Sequence, residues 1–109
     1  MSSQNEFLVQ IPDKPNALQA RLSNASLHLS HIKPLIEAGT IVLSGPSLSQ
    51  HPQSAEEVLS MTGSILVIKA ATEATVRQML AEDPLARAGV WDLEKIVVTP
   101  MKCFVRKGL

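Results

Sequence analysis

Two histidines, His28 and His31, stand three residues apart in a segment whose apolar spacing predicts a helix. That spacing could hold a metal ion, but no carboxylate stands beside the pair, and Glu37 lies beyond the next turn. We therefore expect no metal site here. His28 follows Ala25 by three residues and precedes Ile32 by four, which places it at the edge of the apolar stripe.

His28 admits two interpretations at this position. With a carboxylate partner, its imidazole could carry a proton to or from a bound organic molecule. Alternatively, it is a histidine at the edge of the core whose ring is bonded to a backbone carbonyl. The spacing alone favours the second interpretation.

Three other sites could contact a ligand. Arg21 precedes His28 by seven residues on the same helix face, where its guanidinium could clamp a carboxylate or phenolate, or pair with a surface acid. Asp83 precedes Pro84, so its default role is to cap the next turn, although a contact with His28 is compatible with the predicted fold. The Ser44-Gly45-Pro46 segment could offer a backbone amide and a hydroxyl to a ligand, or simply form a tight turn.

The remaining polar candidates and motifs predict little chemistry. His31 faces away from the stripe, His51 lies in a polar segment, and Cys103 is expected to pack in a strand. The sequence contains no phosphate loop, no G-x-G-x-x-G, no paired cysteines and no H-E-x-x-H. We expect no cofactor.

The composition predicts one ordinary globular domain over residues 1–109. Its ten basic residues balance ten acidic ones, so no nucleic-acid partner is implied. The apolar runs, such as Ile65 to Ile68, are far shorter than the roughly 20 residues that cross a bilayer. The first residues do not resemble a secretory signal, and the single cysteine cannot form an internal disulfide, so we expect a cytoplasmic protein.

Apolar periodicity predicts the first half of the fold. Residues Glu6 to Ile11 alternate as a strand, and a helix should follow, capped by Asn16. The helix should kink at Pro34 and stop at Ala38-Gly39. Its apolar stripe is expected to face the core and comprises Leu18, Leu22, Ala25, Leu29, Ile32 and Ile36.

The second half repeats the order of elements. A short strand over 40–43 leads into the Ser44-Gly45-Pro46 turn, and a solvated loop follows over 50–60. A strand over 63–70, a helix capped by Thr72 and a short turn after Asp83-Pro84 come next. The last strand, over 90–105, should be the longest, with Pro100 marking an edge or bulge.

This order predicts an α+β, ferredoxin-like βαββαβ fold with an antiparallel sheet and helices on one face. The other face of such a sheet would offer a broad apolar surface to a second copy. We therefore expect a homodimer.

At this point the residues show a family resemblance. Arg21 and His28, the Ser44-Gly45-Pro46 segment, Gly63-Ser64, and Asp83-Pro84 with Gly89-Val90 resemble the YCII-related proteins in order and spacing along nearly the whole chain. That family has the dimeric α+β barrel fold, in which two ferredoxin-like sheets pack face to face. The resemblance thus implies the same fold class as the periodicity.

The resemblance also implies roles for the candidate residues. His28 and Asp83 match the family's proposed acid-base dyad, in which the aspartate orients the imidazole and the histidine moves the proton. Arg21 and the segment Ser44, Gly45 and Pro46 would be pocket residues. The chain departs from the family at Ala25, where many relatives carry a basic residue, and at Leu85, where many carry an aromatic one. The resemblance therefore implies a more apolar pocket here.

Related barrels include muconolactone isomerases, dehydrochlorinases and tailoring enzymes of aromatic polyketides. By analogy we expect a cofactor-independent lyase or isomerase acting on a small cyclic or aromatic compound. The alternative is a non-catalytic protein that binds a small ligand in the same pocket. A third class, a purely structural module, would fill the pocket with its own side chains, for which Met61, Met79 and Met101 are suited.

Overall fold

A computed structural model describes residues 4–108 of the chain. Its strands are β1 (Asn5–Pro12), β2 (Ile41–Leu48), β3 (Met61–Ala70) and β4 (Val97–Met101), and its helices are α1 (Leu18–Glu37), α2 (Glu73–Ala81) and α3 (Pro84–Arg87), with a 3-10 turn at Leu93–Lys95. The strands form one sheet in the order β2-β3-β1-β4, and every neighbouring pair is antiparallel. The predicted α+β, ferredoxin-like fold is confirmed.

The core lies between the helices and one face of the sheet. Alternate side chains of β1, Phe7, Val9 and Ile11, are buried, as the period-two pattern predicts. Leu66 and Ile68 of β3 join them, and the helices contribute Ile32, Val76, Leu80 and Leu85. Full burial of each such side chain stabilises the fold by roughly 1.5–3 kcal/mol. The sheet and helices therefore form a stable frame under the segments that carry the candidate site.

The apolar stripe of α1 does not face the core, so this part of the prediction was wrong. Leu18, Leu22, Leu29 and Ile36 keep between 39% and 61% of their surface exposed, and Ile32 is the buried member of the stripe. The reason is that α1 contacts β2 and α3 at the margin of the domain, and most of the stripe borders an open cavity. Helical periodicity indicates an apolar face but does not say what covers it.

The boundaries of α1 differ from the prediction at its start. Asn16 does not cap the helix: it has a positive φ of 61° and belongs to the preceding turn, while Ala17 takes the cap position without a side-chain bond. Asparagine tolerates this left-handed conformation better than most residues. The helix runs through Pro34 and ends at Ala38-Gly39 as predicted, with Gly39 at a φ of 79°.

Two strands differ in length from their predictions. β2 extends to Leu48, so the Ser44-Gly45-Pro46 segment lies inside a strand and not in a turn. β4 is the shortest strand instead of the longest, because Val90 and Trp91 are buried in the core, with one bridge between Trp91 and Asp13, before the chain enters the sheet. β4 is an edge strand, which is where a strand proline such as Pro100 is tolerated.

The other predicted features are present. Residues 49–60 form the loop between the halves, and the Thr72 side chain caps α2 by accepting a bond from the Thr75 amide at 3.2 Å. Asp83 caps α3, as its position before Pro84 predicts. Within residues 4–108, no helix is both long and apolar enough to cross a membrane.

The segment after β4 is fastened to β1 by Glu6. The backbone amide of Cys103 donates to one carboxylate oxygen of Glu6 at 2.9 Å, and Arg106 donates to the other at 2.8 Å. These donors, first the Cys103 amide and then Arg106, hold the pKa of Glu6 below its ordinary value of 4.5. The carboxylate therefore binds the C-terminal segment in its ionised form.

We expect this attachment to weaken in acid. Because the pKa of Glu6 is lowered when the segment is docked, docking is fully favoured above the ordinary value and is lost as the pH falls through the lowered one. In an NMR titration from about pH 6 to about pH 3, the Cys103 amide signal should shift towards its undocked position. Glu6→Gln, which cannot titrate, should abolish the shift. A Cys103 amide signal that does not change with pH in the native protein would contradict the attachment of this segment to Glu6.

Gly63 allows β3 to approach β1 closely. A Cβ at this position would overlap the carbonyl oxygen of Ile11 and lie 3.0 Å from the Cα of Pro12. Gly63→Ala should therefore destabilise the fold by about 1–3 kcal/mol, measured by urea unfolding. Gly45→Ala is the matched control, since a Cβ at Gly45 would meet no atom within 4 Å. Equal stability of the two variants would show that the strands can separate at no cost.

Candidate active site

A cavity of about 300 Å³ lies between α1, the edge strand β2 and part of β3. Five of the six predicted site residues line it: Arg21, His28, Ser44, Gly45 and Pro46. The sixth, Asp83, is buried behind His28 and contacts it. The volume is at the lower end of the range that small-molecule sites occupy.

The walls of the cavity are mainly apolar. Leu22, Ala25, Leu29 and Ile36 of α1 line one side, where their exposure is explained by the open space that they face. Leu85, at the second position of α3, also lines it. Ala25 and Leu85, at which the resemblance implied a departure from the family pattern, both place aliphatic groups on the wall. A ring compound would therefore contact hydrocarbon over much of its surface.

His28 and Asp83 form a hydrogen-bonded pair. The Nδ1 atom of His28 lies 2.8 and 2.9 Å from the two carboxylate oxygens of Asp83. Because a carboxylate only accepts hydrogen bonds, the hydrogen is on Nδ1 and the imidazole donates it. The Asp83 side chain is 4% exposed and that of His28 is 13% exposed. The sequence allowed this contact, and the structure brings the two residues together.

The other ring nitrogen of His28 is Nε2, and His28 lines the cavity. Nε2 has no hydrogen-bond partner among residues 4–108, and no buried side-chain nitrogen or oxygen there lacks a partner. Nε2 is therefore accessible, and since His28 lines the cavity, its lone pair is available to a bound molecule. This arrangement can accept a proton at Nε2 while Asp83 retains the hydrogen on Nδ1.

Two structural elements fix the pair. Asp83 is the cap of α3, and its Oδ1 accepts a bond from the Leu85 amide at 2.8 Å, so the carboxylate is held by the start of the helix. The rings of His28 and Trp91 pack edge to face, with their centroids 5.8 Å apart and their planes at 80°. The cap that the sequence predicted for Asp83 and its contact with His28 therefore occur together.

Arg21 is more buried than its sequence position suggested. Its side chain is 7% exposed, and it pairs with Asp13, which is 8% exposed, through Nε at 2.7 Å and Nη2 at 2.8 Å. The guanidinium fork is thus occupied by a nearly buried acid, where the sequence allowed a surface acid or a ligand. Nη1 makes no bond to the described residues and is not a buried atom without a partner, so it remains accessible at the cavity.

Ser64 links this ion pair to Trp91. Its Oγ accepts hydrogen bonds from Arg21 Nη2 at 2.8 Å and from the indole Nε1 of Trp91 at 3.1 Å. Ser64 is buried and lines the cavity. It follows Gly63, whose lack of a side chain lets β3 lie close to β1 at this level.

Neither Asp13 nor Trp91 was expected at the site from the sequence, and Ser64 stood out only within the family resemblance. Arg21 carried a signal that could have found Asp13, because an arginine near an apolar helical stripe needs an acidic partner if it is buried. Trp91, the single tryptophan, was not assigned a contact. Its pairing with both His28 and Ser64 depends on the path of the chain between α3 and β4.

The Ser44-Gly45-Pro46 segment forms the rim of the cavity. It lies on β2, the edge of the sheet, and pairs with β3 on one side only. Ser44 and Pro46 are exposed and Gly45 is half-buried. Polar backbone groups on the open edge are therefore within reach of a molecule in the cavity.

The other candidate residues lie elsewhere. His31 is half-buried in a groove between α1 and α2, and His51 is exposed in the loop. Cys103 was expected in a strand, but β4 ends at Met101, and the thiol contacts the carbonyl oxygen of Val105 at 3.2 Å. Over the range 4–108, no three histidine, cysteine or acidic side chains form a group that could hold a metal ion.

The cavity is not filled by methionines. Met61 lines it, Met79 packs against the core from α2, and Met101 is exposed on β4. The structural module considered from the sequence would have closed the cavity with these side chains. The open cavity favours a protein that binds a small molecule.

Comparisons with known proteins agree with this geometry. A family model described as the YCII-related domain matches residues 6–102. The chain is 44% identical to the derivative of benzaldehyde biosynthesis cluster protein C of Emericella nidulans, over 82% of this chain and 91% of that protein. It is 43% identical to the xenovulene A biosynthesis cluster protein asL2 of Sarocladium schorii, over 99% and 96%.

Among solved structures, the chain resembles the 5-chloro-2-hydroxyhydroquinone dehydrochlorinase of Burkholderia phenoliruptrix in complex with 2,5-dihydroxybenzoquinone. The TM-score is 0.74 and the sequences are 30% identical, with 89% of this chain and 93% of the other covered. The similar proteins thus include members of biosynthesis clusters and an enzyme named for a reaction on an aromatic compound.

The cap at Asp83 predicts the effect of Asp83→Asn on His28. The carbonyl oxygen of the new amide should keep the bond to the Leu85 amide, so its NH₂ group should face Nδ1 and donate to it. The hydrogen of the neutral imidazole should then move to Nε2. Ring ¹⁵N chemical shifts should report Nδ1–H in the native protein and Nε2–H in the variant, with the His31 signals unchanged as the control. The same tautomer in both proteins would show that Asp83 does not set it.

Proposed function

Because this chain belongs to the YCII-related family, whose model spans residues 6–102, we propose that it is a cofactor-independent acid-base enzyme of the lyase or isomerase type. Its substrate is a small cyclic or aromatic compound, of which polyketide-derived rings are one source. The observation that carries this proposal is the His28–Asp83 pair, with Nδ1 bonded to the carboxylate and Nε2 open to an apolar cavity.

In this proposal His28 is the catalytic base. Nε2 takes a proton from a carbon next to a carbonyl group, and the electron pair of the broken C–H bond moves to form an enolate. Asp83 accepts the Nδ1 hydrogen bond throughout and stabilises the imidazolium that forms. The enolate then expels a leaving group from the neighbouring carbon, which departs with its electron pair, or it recovers the proton from Nε2 at another carbon. In a decarboxylation the order is reversed: the C–C bond pair left by the departing CO2 forms the enolate, which then takes a proton from Nε2 of the imidazolium.

The cavity supplies the setting for this chemistry. Its aliphatic wall excludes water around the ring, which strengthens every polar contact made inside. Arg21 offers Nη1 to the ligand, and the Ser44-Gly45 backbone with Pro46 at the rim limits the ligand's position. We propose these four residues as substrate-binding groups.

The relatives support the proposal in their own terms. Two are named as members of biosynthesis clusters, and a third is a dehydrochlorinase, an enzyme whose reaction removes chloride from a ring. In its solved structure that enzyme is in complex with 2,5-dihydroxybenzoquinone. A proton-transfer enzyme acting on a hydroxylated ring in the cytoplasm is the function that unites these names with the His28 geometry.

We further propose that two copies pair through the outer face of the sheet as a homodimer. Leu8, Leu43 and Val67 are register neighbours on that face, and Leu43 keeps 54% of its surface exposed. Half-buried Ile65 extends the apolar row. A second sheet packed face to face would remove this surface from water. Sedimentation should give twice the mass of one chain.

The alternative is an accessory protein that binds the same ligands without turnover. The same cavity supports this alternative. It differs from the enzyme in that the bound ligand would not be converted, so proton transfer by His28 would have no role. Neither alternative involves nucleic acid or a membrane.

The decisive variant is His28→Gln. A panel of hydroxylated benzaldehydes, quinones and enolisable lactones would be incubated with the protein in D₂O, and exchange or product formation followed by NMR. We expect the native rate to fall by about 10²- to 10⁴-fold in the variant, because general base catalysis is lost. His31→Gln, on the same helix but outside the cavity, should retain the rate.

Two results would contradict the proposal that the protein is an acid-base enzyme. One is a compound whose conversion survives His28→Gln unchanged. The other is tight binding of panel compounds, measured by calorimetry, without exchange or product in the native protein, which would establish the accessory alternative.

A further inference from the structure

The hydroxyl of Ser64 has a hydrogen without an acceptor among residues 4–108. A serine hydroxyl accepts up to two hydrogen bonds and donates one. Here Oγ accepts from Arg21 Nη2 at 2.8 Å and from Trp91 Nε1 at 3.1 Å, and both of those groups can only donate. Both lone pairs are therefore used, and the hydroxyl hydrogen must be donated to something else.

The protein offers no such acceptor within residues 4–108, where Oγ makes only these two hydrogen bonds. Arg21 and Trp91 occupy two directions around Oγ, so the hydrogen lies in a remaining one. Ser64 is 4% exposed, yet it lines the cavity. Ser64 also borders a groove lined by Ser47 and Thr62, but only the cavity lies beside His28, and a ligand there would offer the acceptor that the hydroxyl lacks.

We propose that Ser64 Oγ is a binding group that donates its hydrogen bond to a ring oxygen of the ligand. This selects compounds with a carbonyl, enolate or phenolate oxygen on an otherwise apolar ring. The inference rests on the proposed function, because it takes the same cavity to be the substrate site. It adds the Ser64 hydroxyl as the group that binds the substrate oxygen on which negative charge develops.

The neighbours of Ser64 make it a strong donor. A hydroxyl that accepts a bond from a guanidinium is polarised, so its own hydrogen is donated more strongly. Asp13 neutralises Arg21 through two short bonds, which keeps this effect local and leaves no unbalanced charge beside the cavity. The indole of Trp91 fixes the second lone pair and with it the direction of the hydrogen.

Ser64 and His28 are placed to act on one ligand. The Trp91 side chain contacts both: its Nε1 bonds to Ser64, and its ring packs edge to face with His28. The two groups are therefore separated by little more than one indole, a span that a one- or two-ring compound covers. A ligand whose oxygen accepts from Ser64 can present a carbon to Nε2, and charge released by proton removal then moves towards the Ser64 hydroxyl.

The test uses 2,5-dihydroxybenzoquinone as the probe and calorimetry as the measurement. Ser64→Ala should weaken its binding by about tenfold to a hundredfold, since hydrogen bonds to charged or strongly polar oxygens contribute in that range. The control is Ser47→Ala, which removes a hydroxyl from the neighbouring strand, where Ser47 bonds to Thr62 outside this cavity. Its binding should equal that of the native protein.

Several results would overturn the inference. Equal binding by Ser64→Ala and native protein is one, and failure of the native protein to bind the probe is another. A third is weaker binding accompanied by a changed His28 tautomer in Ser64→Ala, because that would show a structural role. If Ser64→Ala fails to fold, a crystal structure of the native protein with the probe decides: a ring oxygen within hydrogen-bonding distance of Oγ is expected, and no oxygen there overturns the inference.

This test is independent of turnover. If His28→Gln leaves conversion intact while Ser64→Ala loses binding, the acid-base proposal fails and the role of Ser64 stands. If Ser64→Ala binds the probe as the native protein does while conversion requires His28, the role of Ser64 fails and the acid-base proposal stands.

Discussion

The buried charge of Arg21 is the constraint on which this structure depends. A guanidinium this buried needs a carboxylate and further acceptors, which Asp13 supplies from the residue after β1 and Ser64 supplies from β3. Ser64 in turn holds Trp91, and Trp91 packs against His28. Removal of one partner from a buried ion pair typically costs about 3–5 kcal/mol. One polar network thus ties α1, β1, β3 and the chain after α3 together beneath the cavity.

A second network meets the first at His28. Its ring is held by Asp83 on one edge and by Trp91 on its side, so the imidazole is oriented before any ligand arrives. Such preorganisation matters for proton transfer, because a ring free to rotate would have to be fixed at each turnover. The two networks use polar side chains that are almost fully paired, and the wall opposite them is aliphatic. The polar groups that remain accessible are therefore few and well placed for a ligand.

The sequence predicted the order of the elements because periodicity and caps are local properties, whereas the five residues now seen to line the cavity were implied by the family resemblance. The sequence predicted wrongly that the leucines of α1 face the core, since burial depends on what packs against the helix. Trp91 shows the same limit: its neighbours in sequence predicted a strand, but a buried indole that bonds to Ser64 keeps the chain out of the sheet until Val97. Asp13 was missed for the same reason, because its partner Arg21 comes from another element.

The double use of Asp83 has an evolutionary consequence. Asparagine caps helices as well as aspartate does, so one base change in this codon would preserve the start of α3. The same change would turn the cavity-facing nitrogen of His28 from an acceptor into a donor. A descendant could therefore lose proton chemistry in a single step and keep its fold and its pocket, with a new preference for ligands that accept a hydrogen bond. If His28 is the base proposed above, a catalyst and a binding protein on this scaffold are separated by one mutational step.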